Sequence, residues 1–290
     1  MSTVAAEPDT LADVVRALGD IPIHRIIWRN LGTATEDDVI ELCDRKLRVE
    51  LVDGCLVHKG ITREVLDEVL ASLAPGVETL ADVVDRLGGI PLDRILWNPR
   101  PGTATEDDVL RLVDGEPKRL VELVDGILVE KAMGQREGFL AASLIGFIWT
   151  FLRTSKLGVV GAPDTLVRLK TGQDRLPDVS FTAWANLPAA DAHMQRVGRY
   201  APDLAVEILS AGNTRREMDR KRREYFAAGT KLVWIIDPDA RTVEVYADPR
   251  QPDLVTLLRE TDTLSGGPVL PGFALPLADL FNDPQLNPRP

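Results

Sequence analysis

The chain has 290 residues, 44% of them hydrophobic and 27% charged, which allows a sizeable core and excludes a disordered chain. Its net charge of −11 excludes a protein that coats nucleic acid by bulk attraction. Residues 1–120 hold 14 basic and 23 acidic side chains, against 20 and 22 in 121–290, so a local basic groove stays open to the second part.

In chain order, the first segment carries neither the basic start nor the apolar stretch of a secretion signal. No run approaches the roughly 20 apolar residues of a membrane span, so a cytoplasmic protein without a membrane partner is expected. TLADVVRALGDIPIHRIIW, from Thr10 to Trp28, then recurs 69 residues later as TLADVVDRLGGIPLDRILW, from Thr79 to Trp97. GTATEDDV begins at Gly32 and again at Gly102, and VELVDG at Val49 and again at Val121. Identical words in the same order point to an internal duplication. Each copy reads as a helix, a short apolar strand, a second helix and a hairpin. Thr33 or Thr35 caps the second helix, ahead of Glu36, Asp37 and Asp38, and Thr103 or Thr105 does so in copy two. Asp53-Gly54 and Asp125-Gly126 suit tight type I′ turns. Cys43 and Cys55 align with Val113 and Ile127 and read as small core residues. Trp28 and Trp97 read as packing anchors. Copy one continues through a helix (62–73) and the linker Ala74-Pro75-Gly76.

Copy two runs instead into a longer region. A helix is expected over about 137–153, where Leu140, Leu144, Phe147, Ile148 and Phe151 keep helical spacing. Strands follow at 159–160, 165–169, 179–182 and 204–209. A helix over 214–228 starts at a Thr214/Glu217 capping box and is ended by Gly229. Strands at 232–236 and 243–246 flank the turn Asp237-Pro238-Asp239, and a short helix closes the chain. The expected division is a first module over 1–75, a second over 76–120, an α/β domain over 121–285 and a frayed tail at 286–290.

Two acids interrupt apolar strands. Asp178 follows Pro177 at the head of VSFT, and Glu207 sits inside LAVEIL, where burying a carboxylate costs several kcal/mol unless it is paired or holds a cation. A hard divalent ion would satisfy both, since it takes carboxylates together with water and phosphate oxygens. The basic helix that follows carries Arg215, Arg216, Arg220 and Arg222 as candidate phosphate contacts. Met218, Lys221, Arg222 and Tyr225 share one of its faces, and Lys221 on that face could stabilise the charge of a phosphodiester transition state. Duller alternatives stand beside these: a turn role for Asp178, a structural ion pair for Glu207, a solvated surface charge for Lys221. The three histidines form no pair that survives the duplication.

The ordered set VELVDGILVEK, LPDVSF, APDLAVEILSAGNT, MDRKRREYFAAG, LVWIIDPDARTVEVY and LPGFALPLADLF resembles the Uma family, classed with restriction endonucleases in the PD-(D/E)XK nuclease superfamily. The resemblance covers essentially all of 121–281. It implies a restriction-endonuclease-like α/β core, a mixed central sheet flanked by helices, here preceded by two small repeated α+β modules. It also implies Mg²⁺ or Mn²⁺ held by Asp178 and Glu207, DNA as partner and phosphodiester hydrolysis. The superfamily lysine two residues after the glutamate is replaced by Leu209; in the resembling family it lies on the next helix, which here matches Lys221. Glu122 matches a further recurrent acid, whereas Gln135 and Arg136 stand where many relatives have histidine. The competing expectation is an inactive nuclease fold that binds nucleic acid or protein. A homodimer, and a protein partner for the N-terminal repeats, are the remaining expectations.

Overall fold

The computed structural model describes residues 7–60, 62–73 and 77–283; the linker at 74–76 and the expected tail at 286–290 lie outside the described residues. Copy one comprises α1 (Leu11–Ala17), β1 (Ile26–Ile27), α2 (Glu36–Asp44), the hairpin β2 (Val49–Val52) and β3 (Cys55–His58), and α3 (Arg63–Leu73). Copy two comprises α4 (Leu80–Arg86), α5 (Glu106–Val113) and the hairpin β4 (Val121–Val124) and β5 (Ile127–Glu130). Then come α6 (Gln135–Ser155), β6 (Gly158–Gly161), β7 (Val167–Lys170), β8 (Gln173–Arg175), β9 (Val179–Ala183), β10 (Leu204–Ile208) and α7 (Arg215–Ala228). The chain continues through β11 (Leu232–Asp237), β12 (Thr242–Tyr246), β13 (Thr256–Arg259), β14 (Thr263–Ser265), β15 (Ala274–Pro276) and α8 (Leu277–Phe281).

Thr35 and Thr105, rather than Thr33 and Thr103, cap α2 and α5, each backbone N–H donating to the carboxylate three residues on at 2.8 Å. Both hairpin turns use positive φ at Asp-Gly (45° and 75°, then 50° and 76°), as a type I′ turn requires. The strand expected in copy two is reduced to isolated bridges at Ile95 and Leu96. The copies are interlocked. Thr10 bridges Leu96 and Thr79 bridges Ile27, while Trp97 N–H donates to the Asp9 carbonyl (2.9 Å) and Trp28 N–H to that of Glu78 (2.8 Å). Each contact maps on its mate by the repeat offset, and one apolar cluster draws Leu11, Val14 and Ile26 from copy one together with Leu80, Val83 and Ile95 from copy two. Cys55 belongs to that cluster, but Cys43 is exposed, because Leu42 is the residue α2 turns inward.

The main sheet has the order β13-β12-β11-β10-β9-β6. It is antiparallel except for β10 and β11, which pair in parallel across α7. Period-two alternation sends Leu204, Val206 and Ile208, with Leu232, Trp234 and Ile236, to the α6 side. Ala205, Val233 and Ile235 meet Met218, Tyr225 and Phe226 of α7 on the other. Helices on both faces are why LAVEI is buried throughout. By length and composition α6 is apolar enough to cross a membrane, contrary to the sequence expectation; here its Leu140, Leu144, Ile148 and Leu152 belong to the sheet's core. A second sheet, β5-β4-β8-β7, stands beside the first and carries Glu122.

Candidate active site

Antiparallel pairing sets Val179 opposite Val206, and just before β9 the Asp178 N–H donates to the same Val206 carbonyl at 2.9 Å, which brings Asp178 beside the Glu207 end of β10. Alternation puts Glu207 on the face of Ala205, which meets α7, and Asp178 is near enough for its charge to raise the Glu207 carboxyl. Asp178 Oδ2 accepts from the Ile208 N–H at 2.6 Å. Glu207 Oε1 accepts from the Tyr225 hydroxyl at 2.7 Å, and its Oε2 lies 3.1 Å from Lys221 Nζ. Lys221 and Tyr225, one turn apart, reach the same carboxylate because they share one helix face. The ammonium of Lys221 also lies 3.0 Å from Glu122 Oε1, which comes from the second sheet. Glu122 accepts further from the Leu176 N–H (3.1 Å) and from Arg175 (2.9 Å).

Glu122, Asp178, Glu207 and Lys221 are each at most 4% exposed, so their charges are set by one another. Burial works to raise the Glu122 carboxyl, yet Lys221, Arg175 and the Leu176 N–H outweigh it and hold the pKa at about 2. Burial pushes Glu207 up to about 7; Lys221 opposes this while Asp178 and Glu122 add to it. Burial alone would lower the Lys221 pKa, but Glu122 and then Glu207 raise it above its ordinary value. Burial and the neighbouring carboxylates lift the Tyr225 phenol well above its own. The site therefore favours a charged ammonium, a neutral phenol donor and an ionised Glu122, with Glu207 holding its proton more readily than an ordinary carboxylate.

Asp178, Glu207, Lys221 and Glu122 are thus brought together. Three neighbours escaped the sequence reading. Lys131, at the end of VELVDGILVEK, pairs with Asp178 Oδ1 at 2.8 Å but donates its hydrogen bonds to the carbonyls of Leu176 (2.6 Å) and Pro163 (3.2 Å). Arg175 joins Glu122 to Glu224, and Tyr225 was seen only as a packing position. The arginines of α7 are each held by carboxylates. Arg222 is buried, stacked 4.3 Å from the Tyr246 ring and paired with Asp219 and Asp253, so it does not face a nucleic acid. Arg215 pairs with Glu244, Arg216 with Asp85 and Arg220 with Glu224. Arg136 stays outside the site, bonded to the Pro238 carbonyl at 2.6 Å. Glu217, capping α7 from Thr214, takes a buried bidentate pair with Arg94 (2.9 and 2.8 Å).

A mixed six-stranded sheet with helices on both faces and a strand-borne acid pair beside a helix lysine is the architecture of a restriction-endonuclease-like protein. The family model Uma2, described as "Putative restriction endonuclease", matches residues 106–278, and the chain belongs to that family. Among solved structures it is similar to "a putative nuclease belonging to DUF820 from Anabaena variabilis ATCC 29413", at 25% identity and a TM-score of 0.52, covering 61% of this chain and 97% of the other. No curated protein matches the chain.

Proposed function

We propose that the chain is a divalent-metal-dependent endonuclease that hydrolyses DNA phosphodiester bonds at the Asp178, Glu207, Lys221 and Glu122 cluster. One observation carries the reading: a helix ammonium lies within 3.1 Å of carboxylates from two different sheets, with Asp178 bonded to the strand residue that follows one of them. Among the described residues no group of three or more His, Cys, Asp or Glu side chains has metal-ligand geometry, so a metal would have to be held by fewer protein groups. The donor set fits Mg²⁺ or Mn²⁺, which accept one or two carboxylates and complete their shell with water and phosphate oxygens. Asp178 Oδ1 accepts no hydrogen bond, but the Lys131 ammonium lies 2.8 Å from it, so an ion would have to share that oxygen with Lys131.

Asp178 and Glu207 would hold the ion. When bound, it supplies Lewis-acid polarisation and a lowered pKa for water. The chain's own residues do the remainder. Lys221, kept charged by Glu122, stabilises negative charge developing on the phosphate. Tyr225 fixes the Glu207 carboxylate by donating to Oε1, and Glu122 with Arg175 fixes Lys221 in turn. In Mg²⁺, Asp178→Asn and Glu207→Gln are expected to cut DNA below detection while remaining folded by circular dichroism at the assay temperature. Parental cutting by both would refute the mechanism.

A second reading, a nuclease fold that binds without cutting, is favoured by Leu209 at the superfamily lysine position and by the pairing of each site carboxylate with a cation of the chain itself. It predicts salt-sensitive DNA binding, indifferent to divalent metal and without cleavage.

A further inference from the structure

Strand β9 does not end its functional face at Asp178. Ser180, opposite Ala205 and so on the face that carries Glu207, and Thr182 two residues on lie opposite Gly161 and Val159 of β6. They floor a cleft of about 340 Å³ walled by Thr165, Val167, His193 and Tyr200, with Trp149 of α6 and Trp184 also in its lining. That volume lies in the range of small-molecule sites. A side chain at Gly161 would close the floor, since a Cβ there would come within 2.4 Å of Ser180 Oγ and 2.9 Å of Thr165 Oγ1.

Aromatic surface is concentrated here. Trp149 and Trp184 are 56% and 47% exposed, whereas Trp97 and Trp234 are buried. Trp184 stands edge-on to the His193 ring, centroids 5.2 Å apart, and His193 Nδ1 is buried without a hydrogen-bond partner. Half-exposed indoles beside a polar-floored cleft present an amphipathic surface that suits a flat group with polar edges. The charge agrees. Arg153, one turn past Trp149, and Lys156, two residues before Gly158, are exposed and make no ion pair among the described residues, unlike the paired arginines of α7.

We infer that this cleft takes the base of an unpaired nucleotide next to the scissile phosphate, so that the substrate is single-stranded nucleic acid. This rests on the nuclease reading for the position of that phosphate. Asp178 and Ser180 are about 7 Å apart along the strand, within the length of one nucleotide. A base stacked and paired inside a duplex cannot enter a walled cleft, whereas an unstacked one offers its π-face to the indoles and its edge to Ser180, Thr182 and His193. Arg153 and Lys156 would follow the backbone.

The test is a titration of the full-length protein in chelator, read by tryptophan fluorescence, with a single-stranded oligodeoxynucleotide and with the same sequence as a duplex. The single strand is expected to quench emission and to bind at least about ten-fold more tightly than the duplex. Trp184→Ala is expected to lose roughly ten-fold in single-strand affinity, the size of one stacked base, and Trp184→Phe to recover most of it. Equal affinity for both forms, or an unchanged Trp184→Ala, overturns the inference. Cleavage in Mg²⁺ is scored separately. Duplex cut as well as single strand removes the cleft and leaves the nuclease, while Trp184-dependent single-strand binding without cleavage does the reverse.

Discussion

The two copies of VELVDG are the same word in two environments. In copy one Glu50 is half-buried and pairs with Lys59 at 3.1 Å near the surface. In copy two Glu122 is buried between Lys221 and Arg175. Lys59 has its counterpart in Lys131, which has left the equivalent glutamate for Asp178. Arg25 and Arg94 each donate through Nε to the carbonyl of an aligned residue, His58 (2.8 Å) and Glu130 (2.9 Å), but only Arg94 meets a carboxylate on α7. A Cβ on Gly88 would meet the Glu217 backbone at 2.7 Å, while Gly19 faces open space. Leu66 and Leu70 of α3 complete the copy-one cluster, where Leu166, Leu176 and Val197 complete its copy-two equivalent. The word therefore supplies a hairpin, and what docks against the hairpin decides whether its acid is surface charge or site.

The largest expected break in this comparison is between Glu122→Gln and Glu50→Gln. The first leaves Lys221 and Arg175 short of a buried partner and should cost about 3–5 kcal/mol in urea unfolding. The second removes half of a surface pair and should cost under about 1 kcal/mol. Similar losses would mean that the two hairpins are equivalent after all. Next is Arg94→Met against Arg25→Met. Losing Arg94 strands the Glu217 carboxylate and should cost about 3 kcal/mol, whereas losing Arg25 removes one hydrogen bond, about 1 kcal/mol; a larger loss at Arg25 would invert the comparison.

The cluster of Asp178, Glu207 and Lys221 was legible because acids inside apolar strands violate the burial pattern and a lysine on the inward helix face sits beside them. Arg175 was not. Strand β8, Gln173-Asp174-Arg175, is buried along its length yet wholly polar, so hydrophobic periodicity has nothing to register, and its role depends on partners 49 and 53 residues away in sequence. Strands β13 to β15 were missed for a related reason: their burial is mostly partial or absent. The ion pairs of the α7 arginines were not legible, because a basic run reads alike whatever its neighbours in space, here the carboxylates of Asp85, Glu224 and Glu244.

The pH behaviour of the acids follows from their opposite shifts. Glu122, held at about 2, contributes stability present above its ordinary range and lost as pH falls toward 2. Glu207, raised to about 7, contributes stability that is full below its ordinary range and lost as pH rises through 7, where the buried carboxylate must ionise. A divalent cation would reverse that loss, since its binding releases the proton. Mn²⁺ titration followed by electron paramagnetic resonance, on parent, Asp178→Asn and Glu207→Gln at pH 6 and pH 8, measures this most directly. The expected result is binding by the parent that tightens from pH 6 to pH 8 and is lost in both variants. A parent that takes up no Mn²⁺ at millimolar concentration, or variants that bind as it does, would contradict a metal held by these two carboxylates.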